Sequence, residues 1–331
     1  MRILFTPLIA GKPWNGKTLT TEPLGGSESA VGYLARALAR RGHECIVYTH
    51  GAEGVFDGVQ YRNQAWLPFL GQEKADVHIS SRWSEIIGAV PNVPVILWLH
   101  DITNRTLLRG APGDKLVFLS ESHVNAMLTP ESALPVPVFI IGNGVDNADF
   151  LPEPLPLARR QFGKLMWTSN PDRGLHVAAR ILQELRQKWP DLTLHIFGRA
   201  AVYGWGPEAE VPFYPRAEDL EGLVVHEPLN KAALAQVLKT AWCLFYPTTW
   251  PETFCIATLE AQAAGTPVIA APYGALTETV KGGITTYDFD EAIEQLQNPE
   301  VWNDLSNQGR RYAAECDWMT RAQQWEEVFN A

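Results

Sequence analysis

The sequence predicts an α/β protein made of two doubly wound, parallel-sheet domains. Short apolar runs alternate with helical patterns from the first residue, the alternation breaks at Leu151-Pro-Glu-Pro-Leu-Pro-Leu157, and it then restarts. With 331 residues, 46% of them hydrophobic, the chain can fill two cores at the usual ~100–200 residues per domain.

In the first half the runs predict strands near 3–7, 45–49, 76–80, 95–99, 116–120 and 136–141. The clearest helix starts near Ser27, shows Ala30, Leu34 and Leu38 at i, i+4, i+8, and stops before Gly42. Prolines at alternate positions from Pro152 to Pro156 permit neither helix nor central strand, so 151–160 reads as a linker between domains 1–150 and 161–315. Beyond it, strands are expected near 164–168, 193–197, 223–226, 243–246 and 267–271, with helices near 174–189, 230–240 and 256–264. The stretch 289–330 reads as helical, carrying Trp302, Tyr312, Trp318, Trp325 and Phe329.

Charge excludes some partners. Lys plus Arg total 27 against 37 Asp plus Glu, a net charge of −10, which leaves no electrostatic footprint for nucleic acid and no basic membrane-binding surface. Apolar runs such as Val93-Pro-Val-Ile-Leu-Trp-Leu99 fall far short of the ~18–20 residues of a spanning helix. The opening Met1-Arg-Ile-Leu-Phe-Thr-Pro7 reads as a buried strand and not as a signal peptide. Cys45, Cys243, Cys255 and Cys316 have no metal-ligand spacing, so no zinc site or disulfide framework is expected and the cytoplasm is the default compartment.

Doubly wound sheets bind ligands beyond the carboxyl ends of their strands, so the chemistry is sought there. The most informative window is Trp250-Pro-Glu-Thr-Phe-Cys-Ile-Ala-Thr-Leu-Glu-Ala-Gln-Ala-Ala-Gly-Thr-Pro-Val268, in which a strand breaks at prolines and a helix opens with free N–H groups suited to an anion. Taken alone, Glu252 is an acidic residue near a helix N-terminus and Glu260 an exposed helical charge. Ile256, Leu259 and Ala263 predict instead a largely buried helix, on which an ionised Glu260 needs a partner or a ligand.

This window resembles the Glu-x7-Glu motif of the retaining family-4 glycosyltransferases of the GT-B fold, and Ala261-Gln-Ala-Ala-Gly-Thr-Pro-Val-Ile269 is similar to its continuation. The resemblance implies two Rossmann-like domains facing a cleft, with residues 316–331 packing back on the first. A nucleotide-sugar donor would lie on the second domain and an unidentified acceptor would be brought by the first. It places Glu252 against the donor sugar and Glu260 on the nucleotide ribose, with Thr253, Phe254, Cys255 and Ile256 around the donor. The family usually has Gly where Cys255 stands, so a side chain occupies a point of close backbone approach. A catalytic cysteine is the alternative, though no His adjoins it in sequence to activate it.

Four other strand ends carry polar residues. Arg173, by itself a first-turn surface arginine, lies in Arg173-Gly-Leu175, which resembles the family's Lys-Gly-Leu and implies a diphosphate clamp. Where the family often has a Gly-Arg pair stand Thr168-Ser-Asn170, so Asn170 and the hydroxyls, or another cation such as Arg199, take that place. Leu24-Gly-Gly-Ser-Glu-Ser-Ala30 reads either as a loop with Ser27 as N-cap or, by resemblance, as the Gly25-Gly26 loop facing donor diphosphate and acceptor. His100-Asp101 resembles a strand-end His near the donor sugar, which gives His100 a positioning or proton-handling role. Asn143, in a turn similar to the family's Pro-Asn-Gly-Val-Asp, joins Ser27 and Asp101 as an acceptor-side candidate, and Leu229 as a backbone contact to the base.

Asp288-Phe-Asp290 matches a metal-diphosphate pattern but precedes a helix and reads as its N-cap; no metal and no cofactor are predicted. No carboxylate nucleophile is evident, and the resemblance implies same-face attack with diphosphate stabilisation as the main catalytic contribution. The rival readings are a sugar-nucleotide epimerase on the same fold and a non-catalytic nucleotide-sugar-binding partner subunit.

Overall fold

Five of the six residues of β1 (Arg2–Pro7) are buried, as expected of a central parallel strand covered on both faces. In the computed structural model, which describes residues 1–9, 11–102, 113–128, 136–199, 202, 204, 206, 215 and 220–331, β1 is the centre of the first of two units. That unit comprises 1–144 and 318–331, and the second comprises 145–317.

The first unit adds β2 (Glu44–Thr49), β3 (Gly54–Phe56), β4 (Val59–Asn63), β5 (Val77–Ser81), β6 (Val95–Trp98), β7 (Lys115–Phe118) and β8 (Val138–Ile140). Their order is β3-β4-β2-β1-β5-β6-β7-β8, parallel except for the β3–β4 hairpin. The order reverses beside β1, which puts a switch point at the carboxyl ends of β1 and β5. The hairpin was not anticipated. Its strands are short, and Val55 points to solvent, 70% exposed, so the apolar pattern is faint. Its signal was Asp57-Gly58, whose φ of 50° and 81° suit a two-residue turn with both central residues left-handed.

Helix Gly26–Arg40 buries Ala30, Val31, Leu34 and Leu38 and ends before Gly42, at φ 94°. The last helix, Trp318–Asn330, belongs to this unit: Trp318 stacks on Tyr33 with centroids 6.3 Å apart, and Trp325 meets Trp98 edge-on at 5.0 Å. Arg41 forks onto Glu326, with both bonds at 2.7 Å.

The second unit holds β9 (Lys164–Trp167), β10 (Thr193–Ile196), β11 (Leu223–Val225), β12 (Cys243–Tyr246), β13 (Val268–Ala270) and the unanticipated three-residue β14 (Gly283–Thr285). All are parallel in the order β11-β10-β9-β12-β13-β14, which is the Rossmann order, and its switch point lies between β9 and β12. Helices Leu175–Arg186, Lys231–Leu238 and Ile256–Ala263 fall where the periodicity placed them. Phe289–Leu296 is capped by Asp288, whose Oδ1 accepts from the Glu291 N–H at 3.0 Å, and Pro299–Glu315 follows. The proline-rich 151–157 runs within this unit, with the Leu151 and Leu155 carbonyls accepting from Arg310 and Arg160.

Candidate functional site

At the switch point of the second unit, the chain leaves β9 through Asn170 into the short turn Pro171–Arg173 and leaves β12 through Pro247 toward Glu252. Gly174, at φ 112°, lets these two loops meet: a Cβ there would lie 3.2 Å from the Thr249 nitrogen. The Thr248 hydroxyl donates to the Arg173 carbonyl, closing the pair. Arg173 then lays its guanidinium 4.0 Å from the centroid of Trp250, with its Nε 3.4 Å from Asp172 Oδ1. Asn170 is buried beside it.

Glu252 is half-buried. Its Oε1 lies 2.5 Å from the Tyr246 hydroxyl, which is also 3.1 Å from Ser169 Oγ. Burial pushes the Glu252 carboxyl above its ordinary value, while the Arg173 charge and the Tyr246 hydrogen bond pull it back. The backbone of Glu252 is held from behind: its carbonyl accepts from the Ala275 N–H at 2.8 Å, and a Cβ on Gly274 would fall 2.5 Å from that same oxygen. Thr253 continues the loop, Phe254 is buried with its carbonyl accepting from Thr279 Oγ1, and Cys255 caps helix Ile256–Ala263.

Cys255 adopts φ 69°, a left-handed conformation that favours glycine. Burial pushes its thiol well above the ordinary range, so it is a neutral packing group and not an activated nucleophile. All four cysteines are free and buried. Glu260, in the second turn of the helix, is 4% exposed, and its Oε1 meets Lys231 Nζ at 2.5 Å. Lys231 opens helix Lys231–Leu238 behind the cap Asn230, one residue after Leu229. Lys231 and Tyr246 were missed in sequence because nothing local marks a residue whose partner is contributed by another element.

The first unit gathers its own polar cluster. Gly25 and Gly26 open helix Gly26–Arg40, but the N-cap is Gly25 and not Ser27, as expected above: the Ser27 hydroxyl is engaged by Glu28 at 3.0 Å and by Arg82 Nη1 at 2.9 Å. Arg82, just beyond β5 at φ 64°, also sends Nε to Asp101 Oδ2 at 2.6 Å. Its position past a switch-point strand was the signal that could have identified it. His100 is buried against Trp98, ring centroids 4.4 Å apart; burial, with the charges of Arg82 and His123, pushes its pKa well below the ordinary value and keeps it neutral. Asn143 is buried, and its carbonyl accepts from Arg321 Nε at 3.1 Å.

This geometry has relatives. Residues 164–301 match the model of the family described as glycosyl transferases, group 1. That stretch of the chain is similar to the group 1 glycosyl transferases. D-inositol 3-phosphate glycosyltransferase of Kribbella flavida is 29% identical to the chain over 187 residues, which is 52% of this chain and 43% of that protein, so the match spans under half the relative's length. Sucrose-phosphate synthase from Thermosynechococcus elongatus superposes on the fold with a TM-score of 0.78 at 16% identity, covering 100% of this chain and 98% of that one. Anabaena HepE in complex with UDP-glucose does so with a TM-score of 0.73 at 18% identity over 100% and 99% of the two chains. The fold is GT-B. The matched stretch contains Arg173, Glu252, Cys255 and Glu260, and among the described residues no helix is long and apolar enough to cross a membrane.

Proposed function

We propose that the chain is a retaining glycosyltransferase of family 4 that moves a sugar from a nucleoside-diphosphate sugar to an acceptor hydroxyl without a metal. The observation that carries this reading is the pairing, on one loop and helix of the stretch matching group 1 glycosyl transferases, of Glu252 beside Arg173 with the deeply buried Glu260. A half-buried carboxylate suits hydrogen bonding to sugar hydroxyls, and a buried one beside the base loop suits ribose hydroxyls. In this reading Arg173 and the N–H groups near Cys255 and Ile256 stabilise the departing diphosphate, which takes the acceptor proton on the face the acceptor attacks.

Neutral His100 contributes a hydrogen bond near the sugar, and Ser27, Asp101 and Asn143 serve the acceptor. The matches are to transferases, which favours transfer over epimerisation. The test is thermal unfolding against UDP-, GDP-, ADP- and CDP-sugars, with Glu260→Ala alongside. A ligand at ~100 times its Kd adds about 2.7 kcal/mol, a shift of a few degrees. A shift for one base that the variant loses is the expected result; no shift with any donor defeats the reading.

A further inference from the structure

We infer that Tyr246 is the residue that positions Glu252, holding one carboxylate oxygen so that the other faces the donor sugar. The inference rests on the reading of Glu252 as a sugar-binding carboxylate. Tyr246 ends β12 and Ser169 lies just past β9, so the contact Ser169–Tyr246–Glu252 bridges the two strands that flank the switch point. The phenol has one proton and an ionised carboxylate can only accept. Tyr246 therefore donates to Glu252 Oε1 and accepts from the Ser169 hydroxyl, which fixes the direction of both bonds.

The phenol cannot easily move. Tyr246 is fully buried, and its ring lies 4.9 Å from that of Trp167. Trp167 is held in turn, its indole N–H donating to the Ser169 carbonyl at 2.9 Å. The Glu252 backbone is fixed independently by Ala275 and by close approach of Gly274. With main chain and one oxygen both anchored, the carboxylate has one orientation before any ligand arrives, which lowers the ordering cost of binding. Among the described residues, the charged and titratable groups around it are Arg173 and Asp172 on the turn after β9, Tyr246 on β12 and Cys255 at the helix cap. Of these, Arg173 and Tyr246 favour the ionised form.

The isosteric Tyr246→Phe removes only the hydroxyl. In the full chain labelled with ¹³C at glutamate carboxyls, the resonance absent from Glu252→Gln identifies Glu252, and its titration is followed in the wild type and in Tyr246→Phe. The midpoint is expected to rise by about one pH unit, a tenfold change in proton affinity. Calorimetric titration with UDP-glucose and with UDP supplies the second readout: Tyr246→Phe weakens UDP-glucose about tenfold, the loss of one hydrogen bond to a charged group, and leaves UDP unchanged. Ser169→Ala shows a smaller loss of the same kind.

An unchanged midpoint, or equal losses for UDP-glucose and UDP, overturns the positioning role while leaving the donor site standing. If the wild type binds neither UDP-glucose nor any sugar of the panel, the donor reading itself falls and takes the sugar-facing role with it.

Discussion

Lys231 Nζ lies 2.5 Å from Glu260 Oε1, joining the first turn of one helix to the middle of another where both side chains are withdrawn from water. Removing one member of such a pair strands the other, at a cost of about 3–5 kcal/mol, whereas removing both is far milder. Lys231→Met is therefore expected to lower the midpoint of urea unfolding strongly, and Lys231→Met with Glu260→Met to recover most of the loss. Additive losses would show that the two do not interact. The double variant, which lacks the carboxylate proposed to hold the ribose, should also lose nucleotide-sugar binding.

Arg173 makes its stacking contact with Trp250 at a partly exposed position, so its removal costs little stability. Its proposed work is on the leaving diphosphate, where one donor is worth ~2.7–4 kcal/mol or about 10²–10³ in rate. Arg173→Ala should therefore unfold near the wild-type temperature while its turnover of the donor falls by that order. Unchanged turnover would remove Arg173 from the reaction.

The backbone at Cys255 is glycine-like, with φ at 69°. Left-handed backbone costs a side-chain-bearing residue roughly 1–2 kcal/mol, most of all a β-branched one. Cys255→Gly is expected to stay within about 1 kcal/mol of the wild type, strain relief offsetting lost packing, and Cys255→Val to lose about 2 kcal/mol or more. The reverse order in denaturant unfolding would mean that packing and not backbone strain governs the position.

Strands such as β1 and β12 were legible because a parallel strand covered on both faces must be a continuous apolar run. The Glu252 to Glu260 window could be singled out because its residues lie within one segment, a loop and the helix that follows it. What the sequence hides is partnership across elements. Lys231 looks like any first-turn lysine, Tyr246 like one more apolar strand residue, and Arg82 like a loop arginine, until the sheet order brings Glu260, Glu252 and Asp101 to them. Ser27 shows the same limit from the other side: a hydroxyl well placed in sequence to cap a helix is taken instead by a distant guanidinium.

Arg160 is buried, and among the described residues no carboxylate lies against it. Its guanidinium donates to the carbonyls of Leu155, Ala241 and Ala264 at 3.0, 3.0 and 3.1 Å, to Thr266 Oγ1 at 2.7 Å, and lies 4.7 Å over Trp302. One of these acceptors, Ala264, stands at the carbonyl end of helix Ile256–Ala263, whose dipole favours a cation. Arg160→Met fills similar volume yet leaves the acceptors unpaired, and should cost about 3 kcal/mol or more. Arg160→Lys, a point charge with fewer donors, should recover only part of it. Wild-type stability in either variant would show that water satisfies these carbonyls.

His78 gives the stability a pH dependence that can be isolated. It sits fully buried on β5 with Nε2 2.7 Å from Thr6 Oγ1, and burial lowers its pKa from 6.5 to about 4. The unfolded chain takes up a proton at this residue as pH falls through 6.5, while the folded chain resists until about 4. Between those values the unfolded state binds more protons, so stability falls as pH falls, by up to about 1.4 kcal/mol per unit from this group. His123 and His195, each also lowered to about 4, add to the wild-type slope. His78→Gln keeps a hydrogen-bonding side chain but cannot titrate, so urea unfolding from about pH 7 to about pH 4.5 should show a shallower decline. A variant slope equal to that of the wild type would mean that His78 is protonated within the folded core, its charge met by a rearrangement around Thr6.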